Sequence, residues 1–267
     1  MIKILEKLKR RVVSSNLFVT ENYDYAEKLC EIKNKSCYQS EILCKYRFEK
    51  MSNLLEVNED FFIPPSLNIL LRCIKLFVNS NKSKIPSFVD FGGACGENIL
   101  FLESIFGNEI YDKSWVIETP AQVEESRKWS FSRKIRFSSS LKSVLKNKKI
   151  DIFFTSCAIN YLKNPYDPIM QVVSEKVPYV ILTRNNFSKN PFTFAQKSFL
   201  SENGNGKHLK KYIDREIWYP SSTISETKIK NIFNENDYSI KLEKFIDNTG
   251  VIKEKKCYSK DLIFMLN

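Results

Sequence analysis

SFVDFGGACGENILFL, Ser87 to Leu102, holds three patterns in sixteen residues. Phe88 and Val89 form a short apolar run that ends at Asp90. Three glycines follow within five positions (Gly92, Gly93, Gly96), and then Ile99, Leu100 and Leu102 recur at the spacing of an apolar helix. A strand that turns directly into a helix uses backbone angles closed to most residues, and a ligand seated on such a turn must touch main chain. Glycine satisfies both demands, so the stretch reads as a cofactor cradle. The competing reading is a glycine turn in an α/β sheet with no ligand.

Two cofactor classes use such a turn, and spacing separates them. A dinucleotide fingerprint needs glycine at its first, third and sixth positions, with a pyrophosphate on the helix N-terminus. Counted from Gly92, the third and sixth positions hold Ala94 and Glu97, and a glutamate repels a pyrophosphate. The order Asp-x-Gly-x-Ala-x-Gly (Asp90, Gly92, Ala94, Gly96) instead resembles motif I of class I S-adenosylmethionine-dependent methyltransferases, with Ala94 in place of the usual middle glycine. The resemblance implies that Asp90, Phe91 and the turn Gly92, Gly93 and Gly96 face the methionine part of S-adenosylmethionine.

Downstream, SWVIET (114–119) is a second buried-strand pattern, and Glu118 lies 118 − 92 = 26 residues after Gly92. That is close to the separation at which nucleotide-binding folds place an acid over a ribose, where one carboxylate accepts both hydroxyls. The resemblance makes Glu118, with Thr119 beside it, the ribose ligand; otherwise it is a strand-end acid meeting solvent. The alternation continues through IRFSSS (135–140), the lysine-rich SLKSVLKNKK (140–149), a strand from Asp151 to about Ser156, a helix around Pro168 to Ser174, and VPYVILTRNNF (177–187), read as a strand ending in Arg184. Strands alternating with helices specify a doubly wound parallel sheet whose ligands bind at the carboxyl ends of the strands. Asp90, Glu118, the segment Cys157 to Tyr161, and Arg184 all fall at such ends. YSIKLEKFIDN and DLIFMLN are two strands with no helix between them, matching the antiparallel pair that closes class I methyltransferase sheets. The expected architecture is therefore α/β: a doubly wound, mostly parallel seven-stranded sheet over residues 84–267, with a helical segment or lid in residues 1–83.

Within residues 1–83, the pattern from Tyr23 to Asn79 is helical, with breaks near Ser36 to Ser40 and at Pro64-Pro65. Residues 1–15 place Ile2, Leu5, Leu8 and Val12 on one side of a helix carrying five basic residues. Such a helix either lies peripherally on an anionic membrane or packs on its own domain. It has no long uninterrupted apolar core, so it reads as neither signal peptide nor transmembrane span.

Lysine plus arginine (42) exceeds aspartate plus glutamate (31) by 11, so the molecule attracts anions, whether nucleic acid, anionic lipid or phosphorylated small molecules. The lysines are spread along the chain among many Asn and Ile, and compositional drift explains the excess equally well. Seven cysteines, with no CxxC pair, read as reduced thiols of a cytoplasmic protein. Cys30, Cys37 and Cys44 recur every seven residues, as small buried hydrophobes on one helical face would. His208 is the one histidine and no pair has ligand spacing, so no metal site is expected.

The ordered set DFGGACG, WVIETP, INYLKNPYDP, TRNNF and IWYPSSTIS resembles a group of methyltransferases associated with bacterial surface-polysaccharide loci, over most of the chain from about Cys37 onward. TRNNF stands where that group tends to have Asp-Arg-Thr-Pro-Phe, and Ser221-Ser222 replace an aromatic after Pro220. Both departures fall on the acceptor side. The resemblance implies methyl transfer to a small molecule or sugar, such as a surface-glycan precursor, with the cofactor site completed by Cys157 and an acceptor site of Tyr161, Arg184, Trp218 and Tyr219. No general base is evident; Tyr161, Arg184 and His208 are the candidates for a catalytic role. Two other functions compete. One is an RNA methyltransferase, favoured by net charge but without an RNA-binding module. The other is a methyltransferase-like binding protein without catalysis, favoured by Ala94 and the acceptor-side departures.

Overall fold

Both faces of a central parallel strand are covered, so its sequence reads as an unbroken apolar run, and IFFTS (152–156) is such a run. In a computed structural model, which describes residues 17–34, 40–57, 65–81, 84–107, 109–252 and 255–267, this strand lies at the middle of a seven-stranded sheet. Numbered along the chain, the strands are β1 (Leu17–Thr20), β2 (Phe88–Phe91), β3 (Ser114–Ile117), β4 (Arg136–Ser138), β5 (Ile152–Ser156), β6 (Tyr179–Phe187), β7 (Thr193–Phe199), β8 (Glu216–Ser222), β9 (Tyr238–Ile252) and β10 (Lys255–Leu266). The large sheet has the order β4-β3-β2-β5-β6-β10-β9. β4 through β6 in that order are parallel, and β10 runs antiparallel to both its neighbours. The order reverses between β2 and β5, which makes the crevice beyond their carboxyl ends the switch point.

The helices are α1 (Tyr23–Asn34), α2 (Glu41–Val57), α3 (Pro65–Ser80), α4 (Glu97–Phe106), α5 (Pro120–Ser126), α6 (Leu141–Asn147), α7 (Asp167–Ser174) and α8 (Glu226–Glu235). Side-chain caps start several of them. Thr119 Oγ1 accepts from the Gln122 N–H at 3.3 Å, with Pro120 in the first turn of α5, and Ser140 and Ser225 cap α6 and α8 in the same way. On one face of the sheet, α6, α7 and α8 bury Val144, Val172 and Phe233 against Val89, Phe153 and Val180. On the other, α3 and α4 bury Leu70, Phe77 and Phe101 against Phe88, Phe154 and Ile181. Helix α3 thus shares a core with the sheet across the expected boundary between residues 83 and 84.

Two features depart from the sequence reading. β6 does not end at Arg184 but runs on to Phe187, because a bulge sets both Thr183 and Arg184 opposite Asp261 and pairing resumes at Asn185. Arg184 takes up the extra residue with φ = 58°. Secondly, β1, β7 and β8 form a separate antiparallel sheet in the order β1-β7-β8, packed against α1. Ala195 and Trp218 meet Cys30 there. Asn160 joins this sheet to the large one: its Nδ2 donates to the carbonyls of Ser222 (2.7 Å) and Asn186 (3.1 Å), and its Oδ1 accepts from the Asn186 N–H (3.0 Å). The basic segment 1–15 and Cys37 lie outside the described residues. Cys30 and Cys44 sit on separate helices and are both buried.

Candidate active site

Beyond β2 the chain turns through Gly92 to Gly96 into α4. Gly92 has φ = 75°, and a Cβ there would lie 2.2 Å from Cβ of Ala158, so the turn is folded against the residues that follow β5. A Cβ on Gly93 would lie 2.5 Å from the carboxyl carbon of Asp90. Between them and the helix, Ala94 occupies the left-handed region at φ = 47°, the conformation that a glycine would take without strain.

Three carboxyls surround this turn. Asp90 is 1% exposed, and its Oδ2 accepts from Nδ2 of Asn98 at 2.9 Å. Burial pushes its pKa up to about 7; the Asn98 bond opposes the rise, and the nearby Glu97 and Glu118 add to it. Glu97, the first residue of α4, is buried and accepts from the Cys95 N–H at 3.0 Å. Its pKa is raised by burial, against the pull of backbone N–H groups and of the Arg47 guanidinium on α2. Glu118, half-buried just past β3, accepts from the Ala94 N–H through Oε1 (3.0 Å) and from the Thr119 N–H through Oε2 (2.9 Å). A pyrophosphate has no place among three acids. A ligand with a cationic group and a diol suits them, and S-adenosylmethionine has both, so the donor set fits that cofactor. Phe91 turns its ring away into the core, 5.8 Å from that of Phe153, leaving only its backbone to face a ligand.

At the end of β5, Cys157 is left-handed at φ = 64°, and its N–H donates to the Thr183 carbonyl at 3.0 Å. Burial raises its thiol pKa, which the Tyr161 hydroxyl (3.6 Å from Sγ) and the Arg184 charge lower. The Tyr161 ring meets Tyr219 edge-on, with centroids 5.4 Å apart, and its carbonyl accepts from the Tyr23 hydroxyl at 2.5 Å. Successive residues of a strand face opposite ways. Trp218 therefore points away from Tyr219, into the far face of the small sheet, where its ring lies 5.4 Å from Phe18 and Nε1 donates to Glu216 at 3.1 Å. The expected acceptor group is thus divided: Tyr161 and Tyr219 come together, Trp218 is core, and Arg184 lines a separate cleft beside α3. His208 lies 2.7 Å (Nδ1) from the Tyr46 hydroxyl and 3.2 Å (Nε2) from the Tyr212 carbonyl. A carbonyl only accepts, so in the neutral ring Nε2 carries the hydrogen and Nδ1 accepts from Tyr46. That leaves it holding its own loop to α2.

Sequence reasoning passed over Asn98, whose bond to Asp90 spans eight residues, and Asn160, which looked like one polar residue in INYL. It also missed Lys50 of α2. This lysine is 2% exposed and donates to the carbonyls of Ser201 (3.0 Å), Asn203 (3.0 Å) and Gly204 (2.9 Å), binding the 201–204 loop to the helix. Among the described residues no group of three His, Cys, Asp or Glu side chains could hold a metal, and no helix is long and apolar enough to cross a membrane.

The sequence matches no family model and none of the curated proteins. Solved structures do match. An S-adenosylmethionine-dependent methyltransferase from Clostridium acetobutylicum aligns with 84% of this chain and 99% of its own, at 14% identity and a TM-score of 0.51. An amino pentose methyltransferase from Micromonospora echinaspora, with S-adenosylmethionine bound, aligns with 78% of this chain and 99% of its own, at 8% identity and a TM-score of 0.49. At 14% identity the shared property is the fold, and this chain has the Rossmann-like fold of the Clostridium methyltransferase.

Proposed function

We propose that this protein is an S-adenosylmethionine-dependent methyltransferase acting on a small molecule or sugar. The observation that carries the reading is the frame of Asp90 and Glu118 around a glycine turn at the point where the strand order reverses. When bound, the cofactor supplies a methyl group on a sulfonium; that S–C bond breaks as the acceptor's bond to carbon forms, and the electron pair stays on sulfur. Asp90, ionised, holds the cationic amino end of the ligand against the turn. Glu118 would hold the ribose hydroxyls with the lone pairs that its two backbone bonds leave over. The protein's main work is positioning and exclusion of water, and a base matters only for an acceptor that must lose its proton early. Tyr161, partly exposed beside Cys157, is the one of the expected acceptor-side aromatics still open to a ligand, since Tyr219 is buried edge-on against it. A surface-glycan precursor as acceptor rests on the motif resemblance. A cytoplasmic setting rests on reading the cysteines as reduced thiols; five of those among the described residues are buried.

A second reading, binding without catalysis, is favoured by one observation: Trp218, expected on the acceptor side, is buried in the small sheet's core instead. Calorimetry and thermal melting with S-adenosylmethionine, S-adenosylhomocysteine and NAD test the proposal. Heat and a raised melting temperature are expected with the first two, since a ligand that binds only the native state stabilises it by mass action. Silence at millimolar ligand removes the enzyme reading, and an equal response to NAD replaces it with a dinucleotide one.

A further inference from the structure

Asp90, Ser156, Thr183 and Asp261 lie on adjacent strands β2, β5, β6 and β10, and strand alternation puts all four on the face covered by α3. At the Asp261 end of this row opens a cleft of about 790 Å³ between α3 and the outer strand β9. Such a volume is ample for a small organic ligand. Four cations line it: Arg72 and Lys75 on exposed positions of α3, Arg184 at the bulge of β6, and Lys244 on β9. The one acid lining it, Asp261, is opposite Lys244 in the strand register and accepts a hydrogen bond from the Thr183 hydroxyl. None of the four cations is ion-paired to another described residue. Ser66, Asn68 and Thr183 add polar groups to the lining, and its apolar part is Leu71 beside the buried Ile69 on the helix and Leu242 and Ile246 on the strand; Ile246 is 41% exposed.

Unpaired cations beside open apolar side chains complement a molecule with an anionic group and an apolar body. Two contacts link the wall of the cleft to the end of β5 in the candidate cofactor site. The Cys157 N–H donates to the Thr183 carbonyl, and the Arg184 charge is near enough to act on the Cys157 thiol. Between them the Ser156 hydroxyl is enclosed, without a hydrogen-bond partner among the described residues.

We infer that this cleft binds the acceptor, and that the acceptor is an anionic amphiphile: a carboxylate or phosphate held by Arg72, Lys75, Arg184 and Lys244, with an apolar portion along Leu242 and Ile246. Naming the occupant an acceptor rests on the methyltransferase reading; the binding itself does not. Octyl phosphate below its micellar concentration is the probe, with octyl glucoside as the uncharged control and inorganic phosphate as the headgroup alone, all titrated calorimetrically into the full chain without cofactor. Octyl phosphate should bind at least about tenfold more tightly than either control, and more weakly as salt rises. The exposed pair Arg72→Gln/Lys75→Gln should weaken it by about tenfold or more while leaving the melting temperature and S-adenosylmethionine affinity unchanged. Arg184→Gln should do the same from the other wall. Equal binding of octyl glucoside, full binding by both variants, or no binding of octyl phosphate overturns the inference. Binding of octyl phosphate by a protein that ignores S-adenosylmethionine sustains the cleft and removes the methyltransferase reading instead.

Discussion

The backbone N–H of Ala94 donates to Oε1 of Glu118 at 3.0 Å, so the turn after β2 is tied to the acid after β3. The carboxylate proposed for a ribose thus also holds the turn in shape. Glu118→Ala should weaken S-adenosylmethionine binding by about 1.5–3 kcal/mol, the range for hydrogen bonds to a charged group. Glu118→Gln keeps an acceptor for Ala94 and should lose less. Calorimetric titration of both variants checks this; equal affinity in wild type and Glu118→Ala would make Glu118 a support for the turn alone.

Ala94 holds a conformation that costs an L-residue about 1–2 kcal/mol. Removing its Cβ relieves that strain but loosens the unfolded chain by up to about 1 kcal/mol. Ala94→Gly is therefore expected to be neutral or stabilising by up to about 1 kcal/mol, and Ala94→Val, β-branched at positive φ, to be clearly destabilising. Denaturant midpoints of the two variants give the comparison, and a marked loss with glycine would contradict it.

Burial raises Asp90 from 3.8 in the ordinary case to about 7 in the folded protein. Between those values the native state binds the proton and the unfolded state has lost it, so stability falls as pH rises through the window. The slope contributed by Asp90 is at most about 1.4 kcal/mol per unit. Asp90→Asn should flatten the stability profile between about pH 4 and pH 7. A cationic ligand beside Asp90 favours the ionised form, so S-adenosylmethionine binding should release a proton near pH 6, visible as a calorimetric enthalpy that depends on the buffer. A profile unchanged by Asp90→Asn would show that the carboxyl is already ionised.

Asn160 makes its three bonds in full burial, two of them to carbonyls on different sheets. Asn160→Ala should cost about 2–4 kcal/mol, several net hydrogen bonds' worth, and should speed amide exchange in β8 more than in β2 or β5. Uniform acceleration across both sheets would mean that the two unfold as one.

Much of this architecture was legible because it is local. The apolar run at 152–156, the glycines at 92, 93 and 96, and the acid at 118 are adjacent in sequence to the elements they define. What escaped has partners far along the chain. Nothing near Leu17 announces a strand whose partner is β7, and Trp218 and Tyr219 look like one aromatic pair until alternation sends them to opposite faces. Arg184 reads as a strand end because no glycine marks the bulge; the register against β10 reveals it. Lys50 looked like any surface lysine, since carbonyls that cage a cation leave no pattern in side-chain identity.

The pairing of β1 with β7 also bears on how the chain is made. Thr20 and Thr193, whose hydroxyls lie 3.0 Å apart, are separated by 173 residues. At ribosomal rates of about 5–20 residues per second, β1 waits on the order of ten to thirty seconds for the strand it pairs with. During that interval its backbone donors and the apolar Leu17 have no sheet to join. The small sheet is thus assembled late, from segments more than 170 residues apart, after the glycine turn and its acids have left the ribosome.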